Sequence, residues 1–362
     1  MKLTKLLLSS ATAFGAVSSV HAADAVVAAQ PEPLEYVRIC DAYGAGYFFI
    51  PGSETCLKIS GYVRSEGVWH NGYSPTAALG TKWHTRAHLQ LDTASDTEYG
   101  PLQTEAIVRW DWNDGGATAT NLVWSYINLG GFTLGKKDSA YDFYTGYAGD
   151  VFYDDEIYYG PSELNQLTYN YDAGNGFAAV VSLEDSNSGS DSSTYGGAWV
   201  KAKANHYAPN VVAGAGYRVG NFGFKVVGGY DSIAEEGAIK ARVDADFGAF
   251  TAFLMGAWNT DGKKLNQYAG SNLDTTACPT GRGDLCGMGD WAVWGGVGVP
   301  INDKLKWNLQ LAYSDTKIFA ASTNVKWSPV KNLLIEPSLS YANFDSVKQD
   351  QWAGVLRVHR SF

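Results

Sequence analysis

The chain has 362 residues, with 27 Lys and Arg against 37 Asp and Glu. That acidity argues against nucleic acid as a partner, because phosphate would be repelled. An aromatic content of 14% and 41 glycines are both above ordinary globular usage.

Met1 to Ala22 carries Lys2 and Lys5, an apolar run from Leu6 to Val20 and a small-residue end. That pattern predicts a secretory signal peptide cleaved before Ala23. Without Lys2 and Lys5 the mature chain has 25 cations against 37 carboxylates, a net charge near −12. Downstream, no apolar run approaches the roughly 18 residues of a membrane helix. Two classes remain, a secreted β-rich protein and a transmembrane β-barrel.

Residues 23–56 read as an N-terminal periplasmic or lumenal segment, extended at first and then Gly-rich between Cys40 and Cys56. Four cysteines in an exported chain suggest disulfides. Proximity favours Cys40 with Cys56 and Cys278 with Cys286, although the sequence alone leaves the pairing open.

From Leu57 the pattern becomes strict alternation. Leu57, Ile59, Gly61 and Val63 oppose Lys58, Ser60, Tyr62 and Arg64; Thr85, Ala87, Leu89 and Leu91 oppose His84, Arg86, His88, Gln90 and Asp92. Period-two patterning predicts strands with one apolar and one polar face. It recurs to Phe362 and gives about sixteen strands over 57–362. Short turns such as Gly130-Gly131, Gly220-Asn221 and Pro300 to Asp303 alternate with long polar loops at 138–165, 185–209 and 259–290. Tryptophans gather near the loop ends (Trp69, Trp83, Trp110, Trp112, Trp124, Trp258, Trp291, Trp294, Trp352) and near the turns (Trp307, Trp327), as in a double aromatic girdle. The expected fold is all-β, a transmembrane antiparallel β-barrel.

Asp138 to Tyr159 stands apart. It carries Asp138, Asp142, Asp150, Asp154, Asp155 and Glu156, no Lys or Arg, and eight aromatic rings. Burying a ring is worth roughly 1.5–3 kcal/mol, so this stretch is expected to fold back inside the barrel, rings packed and carboxylates facing water. Arg64, Arg86, Arg109 and Arg357 lie on polar strand faces. Because the last strand of a closed barrel pairs with the first, these four form one basic wall. Opposed charges across a narrow channel set up a transverse field. The competing reading is that the arginines neutralise lumen carboxylates such as Glu105 and Asp111.

His84 and His88 do not make a metal pair on a strand, where they stand about 13 Å apart. No nucleophile elbow, phosphate loop or ligand cluster marks an enzyme or calls for a cofactor. Arg282-Gly283-Asp284 matches a cell-adhesion tripeptide and reads as the polar tip of a long loop.

Two segments, Ala22 to Arg64 (AADAVVAAQPEPLEYVRICDAYGAGYFFIPGSETCLKISGYVR) and Ile127 to Tyr144 (INLGGFTLGKKDSAYDFY), resemble the general diffusion porins of alphaproteobacterial outer membranes, and Phe362 resembles their assembly signal. The resemblance implies a sixteen-stranded barrel in outer-membrane lipid and a homotrimer. It also implies an inward-folded third loop at 138–165 and passive passage of small hydrophilic solutes and ions. Alternatives are a structural or adhesive barrel acting through its loops, and a substrate-specific channel.

Overall fold

The computed structural model of the chain describes residues 38–72, 80–185, 208–262, 266–270, 287–346 and 348–362. The expected leader Met1–Ala22, the expected pair Cys278 and Cys286, and Arg282-Gly283-Asp284 lie outside the described residues. A two-residue strand β1 (Phe48–Phe49) precedes β2 (Cys56–Gly72), β3 (Gly80–Ser95), β4 (Leu102–Asn113), β5 (Ala119–Leu129) and β6 (Phe132–Asp138). After a short helix α1 (Ala140–Thr145) come β7 (Glu163–Asp172), β8 (Phe177–Glu184), β9 (Asn210–Val219), β10 (Phe222–Asp231), β11 (Glu236–Asp246) and β12 (Thr251–Asn259). The series ends with β13 (Trp291–Asn302), β14 (Leu305–Ser314), β15 (Ile318–Trp327), β16 (Leu333–Phe344) and β17 (Gln349–Ser361).

From β2 onward each strand pairs with its chain neighbour, and β17 pairs antiparallel with β2 from Gln351↔Gly72 to Ser361↔Tyr62. The sheet is therefore a closed barrel of sixteen strands. Closure leaves no edge, so backbone donors and acceptors are satisfied without water, as a membrane requires. Alternation supplies the two faces. Ile59, Val63, Leu134, Val243, Leu254 and Leu356 are exposed on the outer surface, while Glu66, Asp111, Gln166, Asn308, Gln310 and Glu336 are buried on the inner one.

Turn chemistry fixes the register at the short-turn end. Gly130 and Gly131 join β5 to β6 with φ of 57° and 88°. Both are left-handed, the tight-hairpin combination that glycine adopts without steric penalty. At the other short turns, the one expected over Pro300 to Asp303 begins later. β13 continues to Asn302, with a register shift between Pro300 and Asn302. Proline has no N–H for the ladder and is tolerated at such an irregularity.

Before the barrel, Cys40 and Cys56 form a disulfide across 16 residues. β1 pairs with the start of β2 through Phe48↔Leu57, and the Lys58 ammonium lies 5.8 Å from the Tyr47 ring. Eight tryptophans, Trp69, Trp83, Trp110, Trp112, Trp258, Trp291, Trp327 and Trp352, are exposed on the barrel. Trp124 and Trp294 depart from the expected girdle. Trp294 is fully buried and Trp124 donates its indole N–H to Asp138 at 3.0 Å, so both serve the interior. Strand position alone placed them near the rim; alternation turns Trp294 inward with Ala292, where its indole N–H finds an acceptor.

Candidate functional site

The connection between β6 and β7 enters the barrel. Its strand ends are Asp138 and Glu163, so the loop spans 139–162, shorter at both ends than the expected 138–165. Ser139 caps α1, its hydroxyl accepting from Tyr141 N–H at 3.1 Å. Glu184, fully buried at the end of β8, accepts from the Ser139 hydroxyl at 2.8 Å and from Ala140 N–H at 2.8 Å. Six residues are too few for a stable isolated helix. Here the first orphan N–H groups are satisfied by acceptors, and Tyr144 donates to the Ala178 carbonyl at 2.8 Å.

Beyond α1 the loop runs across the inner wall. Lys240 on β11 meets Asp142 at 3.3 Å and donates to the Tyr159 carbonyl at 2.8 Å. Asp150 is held by Lys306 at 2.9 Å and by Lys326, and Asn324 donates to its carbonyl at 2.9 Å. Ser322 donates to the Tyr153 carbonyl at 2.7 Å, and Gln310 to the Asp154 carbonyl at 2.8 Å. On the return, Trp294 donates to the Ile157 carbonyl at 3.3 Å and Ser139 N–H to Ser162 at 2.9 Å. Tyr141, Ile157 and Tyr159 join Val212, Val227, Met255 and Trp294 in one apolar cluster under the loop.

The expected division between packed rings and wet carboxylates holds only in part. Asp138 and Asp142 are buried, and Phe143 and Tyr147 are exposed. A carboxylate can go inside when donors meet it. Asp138 accepts from Trp124 and Tyr147, at 3.0 and 2.5 Å, and Asp142 has Lys240. Asp154 accepts from Tyr159 at 2.7 Å and Glu156 from Gln351 at 3.1 Å, whereas Asp155 is exposed.

The four arginines sit on β17, β2, β3 and β4, which are consecutive around the barrel. Arg64 is directly opposite Arg86, Arg357 opposite Glu66, Arg86 opposite Asp111 and Arg109 opposite His88. Glu66 is the hub, contacted by Arg357 at 2.6 Å, Arg64 at 3.2 Å and His84 at 2.6 Å. Arg86 and His84 share Asp111, and Arg357 also reaches Glu336 at 3.4 Å. Glu105 is bonded to Tyr126 instead of to an arginine. Below this row Tyr62 lies between His88 and His359, with ring centroids 4.4 and 4.3 Å away, and Arg109 donates to His88 at 3.3 Å. The charges on this wall are thus partly balanced by neighbours on the same wall.

The loop shares a cavity of about 410 Å³ with Arg357, whereas Arg64, Arg86 and Arg109 do not line it. Asp142, Asp150, Asp154 and Asp155 line it from the loop; Lys326, Glu336 and Arg357 line it from the barrel. The tip closes on the last strand, where the Arg357 guanidinium stands 4.5 Å over the Phe152 ring.

Sequence reasoning missed the lysines that fasten the loop. Lys240 and Lys306 were legible as inward residues from alternation, but nothing local says which carboxylate each meets. It also missed a second inward segment. Asn266–Gly270 packs on the loop, with Tyr268 fully buried, its ring 5.0 Å from Tyr141 and its hydroxyl 3.0 Å from Glu184. Gly229 makes room, since a Cβ there would lie 2.6 Å from the Tyr268 ring. Tyr158 donates to the Gln267 carbonyl at 2.6 Å.

A sixteen-stranded barrel with a loop folded across its bore is an architecture shared with known proteins. The sequence matches the family described as the porin subfamily over residues 24–359. The chain belongs to that family. Porin Omp2b of Brucella suis is 37% identical to this porin over 381 residues, and both chains are covered completely. Porin Omp2a of Brucella melitensis is 37% identical over 392 residues, again across both chains. Among solved structures, the outer membrane channel DcaP of Acinetobacter baumannii has a TM-score of 0.60 at 15% identity, covering 87% of the porin and 99% of that chain. A triple mutant of the Rhodopseudomonas blastica porin has a TM-score of 0.57 at 14% identity, covering 84% and 100%. At these identities the structural likeness concerns fold alone. The porin is an outer-membrane channel protein whose strands cross the bilayer.

Proposed function

We propose that loop 139–162 and the arginine wall form the constriction of a passive, water-filled channel for small hydrophilic solutes and ions. The observation that carries this reading is the cavity shared by Asp142, Asp150, Asp154 and Asp155 with Lys326 and Arg357. Charges of opposite sign facing one narrow space orient polar solutes and slow apolar ones. The exposed Asp155 and the acidic mature chain favour weak cation preference. The salt-gradient reversal potential of the reconstituted protein tests this; a potential of zero or of the anion sign would sink the reading.

Two further parts rest on the sequence and on the resemblance. Three copies are proposed to associate in the membrane, which the mass of the detergent-solubilised protein reads directly. Met1–Ala22 is proposed as a removed leader, so the mature protein would start at Ala23 on N-terminal sequencing.

A further inference from the structure

On the short-turn side of loop 139–162 lies a second recess, of about 520 Å³, between the underside of the loop and strands β9 to β14. Its charged lining is Arg218, Lys225, Arg242 and Lys306, with Asp150, Asp244 and Asp246. These cations are unequally committed. Arg242 grips Asp244 at 2.7 Å through Nη2 and 2.8 Å through Nε, and it also donates to the Tyr147 carbonyl. Lys306 holds Asp150. Asp246 accepts from Gly248 N–H at 2.8 Å and so is tied to its turn. Arg218 and Lys225 form no ion pair among the described residues. The Lys225 ammonium lies 5.7 Å from the Tyr144 ring, and the Arg218 guanidinium passes over Gly223.

Arg218 is opposite Gly223 and Lys225 opposite Gly216, so the two cations stand on adjacent strands, two residues apart in register. That is a diagonal pair on one face, about 7–8 Å between backbones and within reach for long side chains. Between them Gly216 and Gly223 contribute no side chain, and across the recess neither do Gly296 and Gly298. Two cations that form no ion pair among the described residues, beside open space with a loop roof and a strand floor, make a pocket for a small negative group.

We propose that this recess binds an oxyanion, the phosphate or carboxylate group of a small solute, with Arg218 and Lys225 as its ligands. The proposal requires an open channel but does not depend on the arginine wall setting selectivity. Charge-assisted hydrogen bonds to guanidinium and ammonium are the strongest polar contacts available to such a group.

The test uses single channels of the full-length protein in a planar bilayer, with orientation known and ionic strength fixed. Inorganic phosphate is titrated from the short-turn side, and acetate in a parallel series, which separates phosphate from carboxylate as the preferred group. The expected result is saturable block by at least one of them, weakened about tenfold in an Arg218→Gln, Lys225→Met double variant, the loss expected when charge-assisted bonds are removed. An Arg218→Lys, Lys225→Arg variant keeps the block. Current without added oxyanion reports that each variant still forms a channel, and if the double variant does not insert, Arg218→Gln alone carries the comparison. Block that fails to saturate, or that the charge-removing variants leave unchanged, overturns the proposal; neither outcome bears on the reversal potential that tests the constriction.

Discussion

The Asp142 carboxylate and the Lys240 ammonium meet 3.3 Å apart beneath the loop, where both side chains are closed off from solvent. The same ammonium donates to the Tyr159 carbonyl and is faced by the rings of Tyr141 and Tyr159, at 4.5 and 5.1 Å. One cation therefore fastens both arms of the loop, the outgoing at Asp142 and the returning at Tyr159.

Removing one member of a buried pair leaves the other charge unpaired, at a cost of about 3–5 kcal/mol. Lys240→Met should accordingly lower the thermal midpoint and make the single-channel current flicker as the loop loosens. The double variant Lys240→Met, Asp142→Asn should recover most of the stability, because no lone charge is left. Equal loss in the single and double variants would show that the pair is not what holds the loop.

Asp150 and Asp155 separate charge from anchoring. Asp155 is exposed, whereas Asp150 bridges Lys306 and Lys326. A unit charge about 8 Å from an ion in water is worth roughly 0.5 kcal/mol, or about twofold in local concentration. Asp155→Asn should cut the cation-to-anion permeability ratio by about that factor with quiet current. Asp150→Asn frees two ammonium groups and one loop tie, so it should shift the reversal potential further toward anions and also add noise. Reversal potential and current noise recorded on the same channels decide between the two.

Glu156 gives the channel a pH dependence. Burial pushes its carboxyl up to about 7, the neighbouring Asp155 adds to the rise, and the Gln351 hydrogen bond opposes it. With a raised value the group is charged above about 7 and neutral below it, so cation preference should fall as pH drops from 8 to 6. The linked stability term has the opposite sense. The folded chain keeps this proton more readily than the unfolded chain, whose ordinary value is 4.5. Ionisation of Glu156 therefore costs stability, fully above about 7 and not at all below 4.5. Glu156→Gln should flatten the pH dependence of the reversal potential, and an unchanged slope in that variant would assign the titration elsewhere.

Much of the barrel was readable in advance because a strand with one face to lipid and one to water writes that environment into every second residue. Arg64 and Arg86, on different strands, could be placed on the same inner wall from parity and closure alone, and they are direct neighbours in register. Position along the strand misled at Trp294 and Trp124, which sit near strand ends but share the inward parity of Ala292 and Tyr126, and at Pro300, where a register irregularity extended the strand.

The sequence by itself determined strand number, the inner and outer faces, the short-turn and long-loop ends, and the stretch that leaves the wall. All of these follow from local periodicity and turn chemistry. Tertiary structure alone decided what that stretch rests on. Asp142 finds Lys240 across 98 residues and Asp150 finds Lys326 across 176, and Tyr268 arrives from another loop to meet Glu184. Contacts at such separations depend on how the closed barrel brings distant strands around one lumen, and no local pattern in the chain encodes them.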